Sequence, residues 1–106
     1  SLIHEARIRF LKEYGYSESD IQGAGLIVSE LDVRYLKQVY HGETLTFKIS
    51  ISDISKARAT LIYTIENEKN EVVGMASTKI AFIDYASGKV LRTPDFFTET
   101  YNANMP

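Results

Sequence analysis

One amphipathic stretch, residues 2–14 (LIHEARIRFLKEY), stands ahead of a series of alternating runs and limits the chain to folds that can cover a single helix. Ile3, Ala6, Phe10 and Tyr14, with Leu2 and Leu11 beside them, recur at helical spacing and form an apolar stripe. Glu5, Arg9, Lys12 and Glu13 fall mostly on the other side. Ser1 can cap the start with its hydroxyl, and Gly15 supplies the left-handed position that stops a helix. A lone amphipathic helix cannot bury its own stripe, so the rest of the chain must provide a receiving surface.

That surface reads as a sheet. Ser17-Glu18-Ser19-Asp20 carries a helix-start signal and predicts a short helical turn, broken at Gln22-Gly23-Ala24-Gly25. In residues 26–40, Ile27, Leu31, Val33, Tyr35 and Val39 share one parity while Glu30, Asp32, Arg34 and Gln38 share the other, which predicts a strand with one wet face. After the turn His41-Gly42-Glu43, residues 44–52 alternate most cleanly, with Leu45, Phe47, Ile49 and Ile51 inward, and Ile54 breaks the parity, so a bulge is expected near Asp53. Ala59, Leu61, Tyr63 and Ile65 form the next inward set, opposed by Arg58, Thr60, Thr64 and Glu66, and Asn67-Glu68-Lys69-Asn70 predicts a hairpin. Residues 72–84 are apolar on both faces (Val73, Met75, Ala81 and Ile83; Val72, Ala76, Ile80 and Phe82), which places this strand mid-sheet. Thr93-Pro94 ends regular structure, and residues 95–106 must bury Phe96, Phe97 and Tyr101 as a short docked helix or coil.

At 106 residues, 44% hydrophobic and 25% charged, the chain suits one domain over residues 1–106. A net charge of -2 excludes a general attraction to nucleic acid and leaves room for a local basic patch that holds a phosphorylated small molecule. With no cysteine there is no thiol nucleophile and no zinc-thiolate cluster, and the expected location is the cytoplasm. No run approaches the ~20 apolar residues of a membrane span.

The order of a HEARIRFL helix, a long strand ending in ELDVRYLKQVYHGETL, a strand closing in ISKARATLIYTIEN and a last AFIDYASGKVLRTP resembles the 4-hydroxybenzoyl-CoA thioesterase family of hotdog proteins. It is similar to the Tol-Pal-associated acyl-CoA thioesterases. The resemblance implies an α+β hotdog fold, a long helix gripped by a curved antiparallel sheet with four strands in this chain. It also implies a further strand ahead of the helix, beside residues 44–52, and a loop bearing the catalytic aspartate. Neither is found upstream of Leu2, so the chain is expected to be N-terminally incomplete, with its main acid upstream of Ser1.

What the resemblance implies mechanistically is hydrolysis of an acyl-CoA thioester to free acid and CoA, the CoA thioester being substrate and no other cofactor being required. The helix N-terminus would face the thioester oxygen, and a carboxylate would act as base or nucleophile. Glu5 is the carboxylate early in the helix, with a solvated helix residue as its plainer reading; His4 beside it could approach a pocket at a subunit boundary or lie on the helix surface. Lys56, Arg58 and Arg92 are the candidates for the CoA phosphates, or ordinary solubilising charges. The family pairs the edge strand of residues 26–40 with its symmetry mate, which implies a homodimer or homotetramer. No His-rich or Cys-rich spacing points to a metal, and Gly23-Ala24-Gly25 lacks the context of a nucleotide fingerprint. Other readings remain: a non-catalytic acyl-CoA or acyl-carrier binding module, a cystatin-like or nuclear-transport-factor-like interaction domain, and a hotdog dehydratase using His4 with Glu5.

Overall fold

The computed structural model describes residues 1–104. Among them are α1 (Leu2–Glu13), β1 (Gly25–Tyr35), β2 (Thr46–Ile54), β3 (Arg58–Glu66), β4 (Val72–Ile83) and α2 (Asp95–Ala103). The strands form one antiparallel sheet in the order β1-β4-β3-β2, so β4 is central and β1 and β2 are the edges, as expected. Both helices pack on the same face. Ile3 and Leu11 of α1 and Phe96 and Phe97 of α2 join Leu61, Tyr63, Ile65, Ala76, Ile80 and Phe82 in the core.

Local chemistry explains the ends of α1. The Ser1 hydroxyl accepts from the His4 N–H at 3.3 Å. At the other end Gly15 lies at φ 83°, and the Gly15 and Tyr16 N–H groups donate to the Lys12 and Leu11 carbonyls, closing the turn that a left-handed glycine permits. Beyond that, Phe96 receives the end of α1, with ring centroids 4.9 Å from Tyr14, 6.2 Å from Phe10 and 5.1 Å from Tyr16.

Several expectations are corrected. Residues 17–20 form no helical turn; Ser17 bridges to Asp20 and Ile21 to Ala24 in two tight reversals, which bury Ile21 completely. The buried stripe of α1 is Ile3, Arg7 and Leu11, whereas Leu2 and Tyr14 are about half exposed. The strand of residues 26–40 ends at Tyr35, and its register with β4 shifts between Val28 and Glu30. That bulge splits the expected face: Ile27 opposes the outward Ala81, while Leu31 and Val33 oppose the buried Thr78 and Ala76. A second shift, between Ile65 and Glu66, turns Val73 inward with Ala76, Ile80 and Phe82, and leaves Val72 outward. It also carries Glu66 into a buried position, where its carboxylate meets Lys48 at 2.9 Å. The bulge expected near Asp53 is present. The tail forms α2, with the Gln22 side-chain oxygen accepting from the Phe96 N–H at 2.8 Å; Met105 and Pro106 lie outside the described residues.

Gly25 is held by close approach. A Cβ there would stand 2.7 Å from the Tyr85 ring, whose hydroxyl donates to the Leu26 carbonyl at 2.6 Å with the Glu18 carbonyl at 3.2 Å. Gly25→Ala therefore displaces the ring and its hydrogen bond, and a thermal melt should register a loss of about 1 kcal/mol, or roughly 5 °C.

Candidate functional site

The space between α1 and the edge strand β2 is an open groove of about 660 Å³. Glu5, Arg9 and Glu13 line it from the helix with Phe10 and Tyr14, and Phe47 and Lys48 line it from the strand. Glu5 is thus an exposed carboxylate facing a groove near the start of α1, where N–H groups are free of helical partners. His4 is not beside it. One residue along a helix is a rotation of 100°, and the imidazole points instead to Glu18, with Nε2 2.7 Å from Oε1.

Glu18 is the residue that sequence reasoning treated as part of a helix start, and the structure makes it a hub. Its second oxygen accepts from Arg7 Nε at 2.6 Å. Arg7 is 7% exposed, on the face of α1 that meets the sheet. Its Nη1 donates to the Tyr63 hydroxyl at 3.4 Å, and that hydroxyl lies 2.9 Å from Thr78 Oγ1. The chain His4–Glu18–Arg7–Tyr63–Thr78 therefore runs from the first turn of α1 to the centre of the sheet. Burial alone would raise the Glu18 pKa, but the hydrogen bonds from Arg7 and His4 and their charge hold it below the ordinary carboxylate range. Burial likewise works against the Arg7 charge, and Glu18 and Tyr63 overcome it, so its pKa lies above the usual value. Among the described residues no buried side-chain polar atom lacks a partner. The only clue in the sequence is an arginine within an apolar stripe.

Lys56, Arg58 and Arg92 come together at one end of the sheet. The Thr93 N–H donates to the Lys56 carbonyl at 2.7 Å, and the Thr93 hydroxyl to the Ser55 carbonyl at 2.7 Å with the Arg58 carbonyl at 3.4 Å. This clasp seats Arg92 beside the β2–β3 turn, and all three basic side chains are exposed. The inward side of β1 is uncovered beyond α1: Leu31 is 57% and Tyr35 62% exposed, with Val28 and Val33 also open. Tyr63 and Phe47 are buried and part-buried, whereas Tyr35 and Tyr40 stand out from the surface. Among the described residues no helix is long and apolar enough to cross a membrane, and no group of three His, Cys, Asp or Glu side chains is placed to hold a metal.

Comparison with solved structures returns hotdog thioesterases. The chain is similar to a DHNA-CoA thioesterase from Staphylococcus aureus, at 28% identity and a TM-score of 0.75, over 96% of this chain and 70% of that one. It is similar to a 1,4-dihydroxy-2-naphthoyl-CoA thioesterase from Synechocystis at 19% identity and a TM-score of 0.79, over 99% and 80%. A third likeness is to a Staphylococcus aureus protein solved in complex with CoA, at 20% identity and a TM-score of 0.80, over 99% and 70%. No curated protein matches the chain in sequence. Two helices on one face of a four-stranded antiparallel sheet are the α+β hotdog arrangement of these proteins. With residues 1–100 matching the family as well, the chain belongs to the thioesterase-like superfamily.

Proposed function

We propose that this protein hydrolyses an acyl-CoA thioester to a free acid and CoA, as a member of the 4-hydroxybenzoyl-CoA thioesterase branch. The observation that carries this reading is the likeness to a DHNA-CoA thioesterase along 96% of the chain. The clasp that gathers Lys56, Arg58 and Arg92 supports it, because CoA carries phosphates that exposed cations at a strand end can hold. In this reading the thioester lies by the N-terminal turn of α1, whose free N–H groups and dipole stabilise the oxyanion that forms as the carbonyl is attacked. A carboxylate supplies the base or nucleophile. Glu5 is the candidate among the described residues, and the family resemblance puts the principal acid ahead of α1. Two copies joined along β1 form the working unit in this reading.

The test is release of free CoA thiol from a panel of aryl and alkyl acyl-CoAs by the full-length protein. Lys56→Ala, Arg58→Ala and Arg92→Ala should each raise KM several-fold with kcat little changed, and KM should rise with salt as phosphate contacts are screened. Thermal stabilisation by CoA without thiol release would favour a non-catalytic acyl-CoA or acyl-carrier binding module. Neither response would remove CoA from the account.

A further inference from the structure

We propose that Glu18 is the positioning residue for the N-terminal half of α1. On the functional reading above, it therefore sets where Glu5 and the free N–H groups of the first turn meet substrate. The role requires a carboxylate anchored to the sheet through its own main chain and bonded to the first two turns of the helix, and the geometry supplies both.

Glu18 is fixed through its main chain. Its carbonyl accepts from the Leu26 N–H at 2.8 Å and is approached by the Tyr85 hydroxyl at 3.2 Å, so the residue is tied to the start of β1 and to the segment after β4. From that anchor its two oxygens reach back to His4 and Arg7, which are three apart and share one helix face. Arg7 then ties the same face to Tyr63 on β3. The opposite end of α1 is held differently, by the glycine turn and the rings around Phe96. Apolar contacts tolerate small rotations and slides; two charge-assisted hydrogen bonds to one carboxylate do not. Glu5 follows His4 directly and faces the groove, so a rotation that relaxes the pair would swing Glu5 through the same angle.

The test combines amide exchange with kinetics. In Glu18→Gln, exchange at the amides of Glu5, Ala6, Arg7 and Ile8 should accelerate at least tenfold while Lys12 and Glu13 change less than twofold. At a temperature where circular dichroism shows the variant folded, kcat should fall at least tenfold with KM within twofold of wild type. His4→Ala removes one half-exposed partner and leaves the Arg7 pair, so it stays folded even where Glu18→Gln does not. It should shift exchange in the same four amides by a few fold and lower kcat by less than Glu18→Gln. Exchange that rises uniformly along α1, or not at all, overturns the proposal, as does an unchanged kcat in a folded variant. A His4→Ala loss equal to that of Glu18→Gln also overturns it, by assigning the effect to the imidazole. A wild-type protein that releases no thiol, but whose variants show the localised exchange, overturns the functional reading and leaves the anchoring role standing.

Discussion

Glu18→Ala should lose on the order of 3 kcal/mol of stability, a fall in melting temperature of roughly 10–20 °C for a domain of this size. The cause is what remains. Arg7 is 7% exposed, and without Glu18 its guanidinium keeps only the 3.4 Å contact to Tyr63 inside the core. Glu18 is itself only partly buried, but removing it strands the charge of the buried Arg7, which costs more than the pair itself contributes. The double variant Arg7→Met with Glu18→Leu should therefore recover most of the loss, because both charges leave together and the methionine refills the volume. Chemical denaturation of Arg7→Met, Glu18→Leu and the double variant measures this; strictly additive losses would rule out the coupling.

The same pair sets the behaviour in acid. Glu18 has its folded-state pKa below the unfolded value of about 4.5, so the unfolded chain takes up a proton first as pH falls. Its stabilisation is fully present above that value and disappears as pH drops through the lower folded one. Wild-type stability should decline steeply across that interval, and Glu18→Gln should show a shallower slope from a lower plateau. Glu71, held down by Lys37 and Asn67, works in the same direction, but its side chain is 41% exposed and its share should shrink in high salt.

If two copies pair along β1 as proposed, Leu31→Lys combined with Val33→Lys should convert the dimer into a monomer and abolish thiol release while leaving the chain folded. Both side chains lie on the inward side of β1, opposite Thr78 and Ala76, and α1 does not reach them. With Val28 and Tyr35 they place four exposed apolar side chains on one face of a strand whose outer edge is unpaired among the described residues. Lysines there cost little in a monomer, where the positions are already wet, and a great deal at a seam, where two sets of charges would be desolvated against each other. Light scattering at micromolar concentration decides the matter: a wild-type protein that is already monomeric would contradict the paired-edge arrangement.

How much of this was legible in the sequence follows the range over which each feature is encoded. The helix and its stop at Gly15 and the alternation of β2 and β3 were all readable, because each depends on neighbours within one turn or one pleat. The interior place of β4 in the sheet was also anticipated, but not its covering: both helices lie on one face, Met75 on the other is 43% exposed, and the apolar residues on both parities reflect the register shift at Val73. The bulge between Val28 and Glu30 was not readable. It arises from pairing with residues about fifty positions away, and it moved Leu31 and Val33 onto a face shared with neither Ile27 nor the wet residues.

The sequence by itself determined the first helix, the four strands and the thioesterase-like superfamily, because hydrophobic period, turn chemistry and motif order are local and cumulative. Only the tertiary structure decided which charges matter. Glu18 and Arg7 stand eleven positions apart, Arg7 and Tyr63 fifty-six, and Arg92 meets the turn at Lys56 only through the clasp made by Thr93. A charged side chain looks the same in a list of residues whether it is solvated or buried. What separates the two cases is desolvation and the partner that offsets it, and both exist only once the chain has closed on itself.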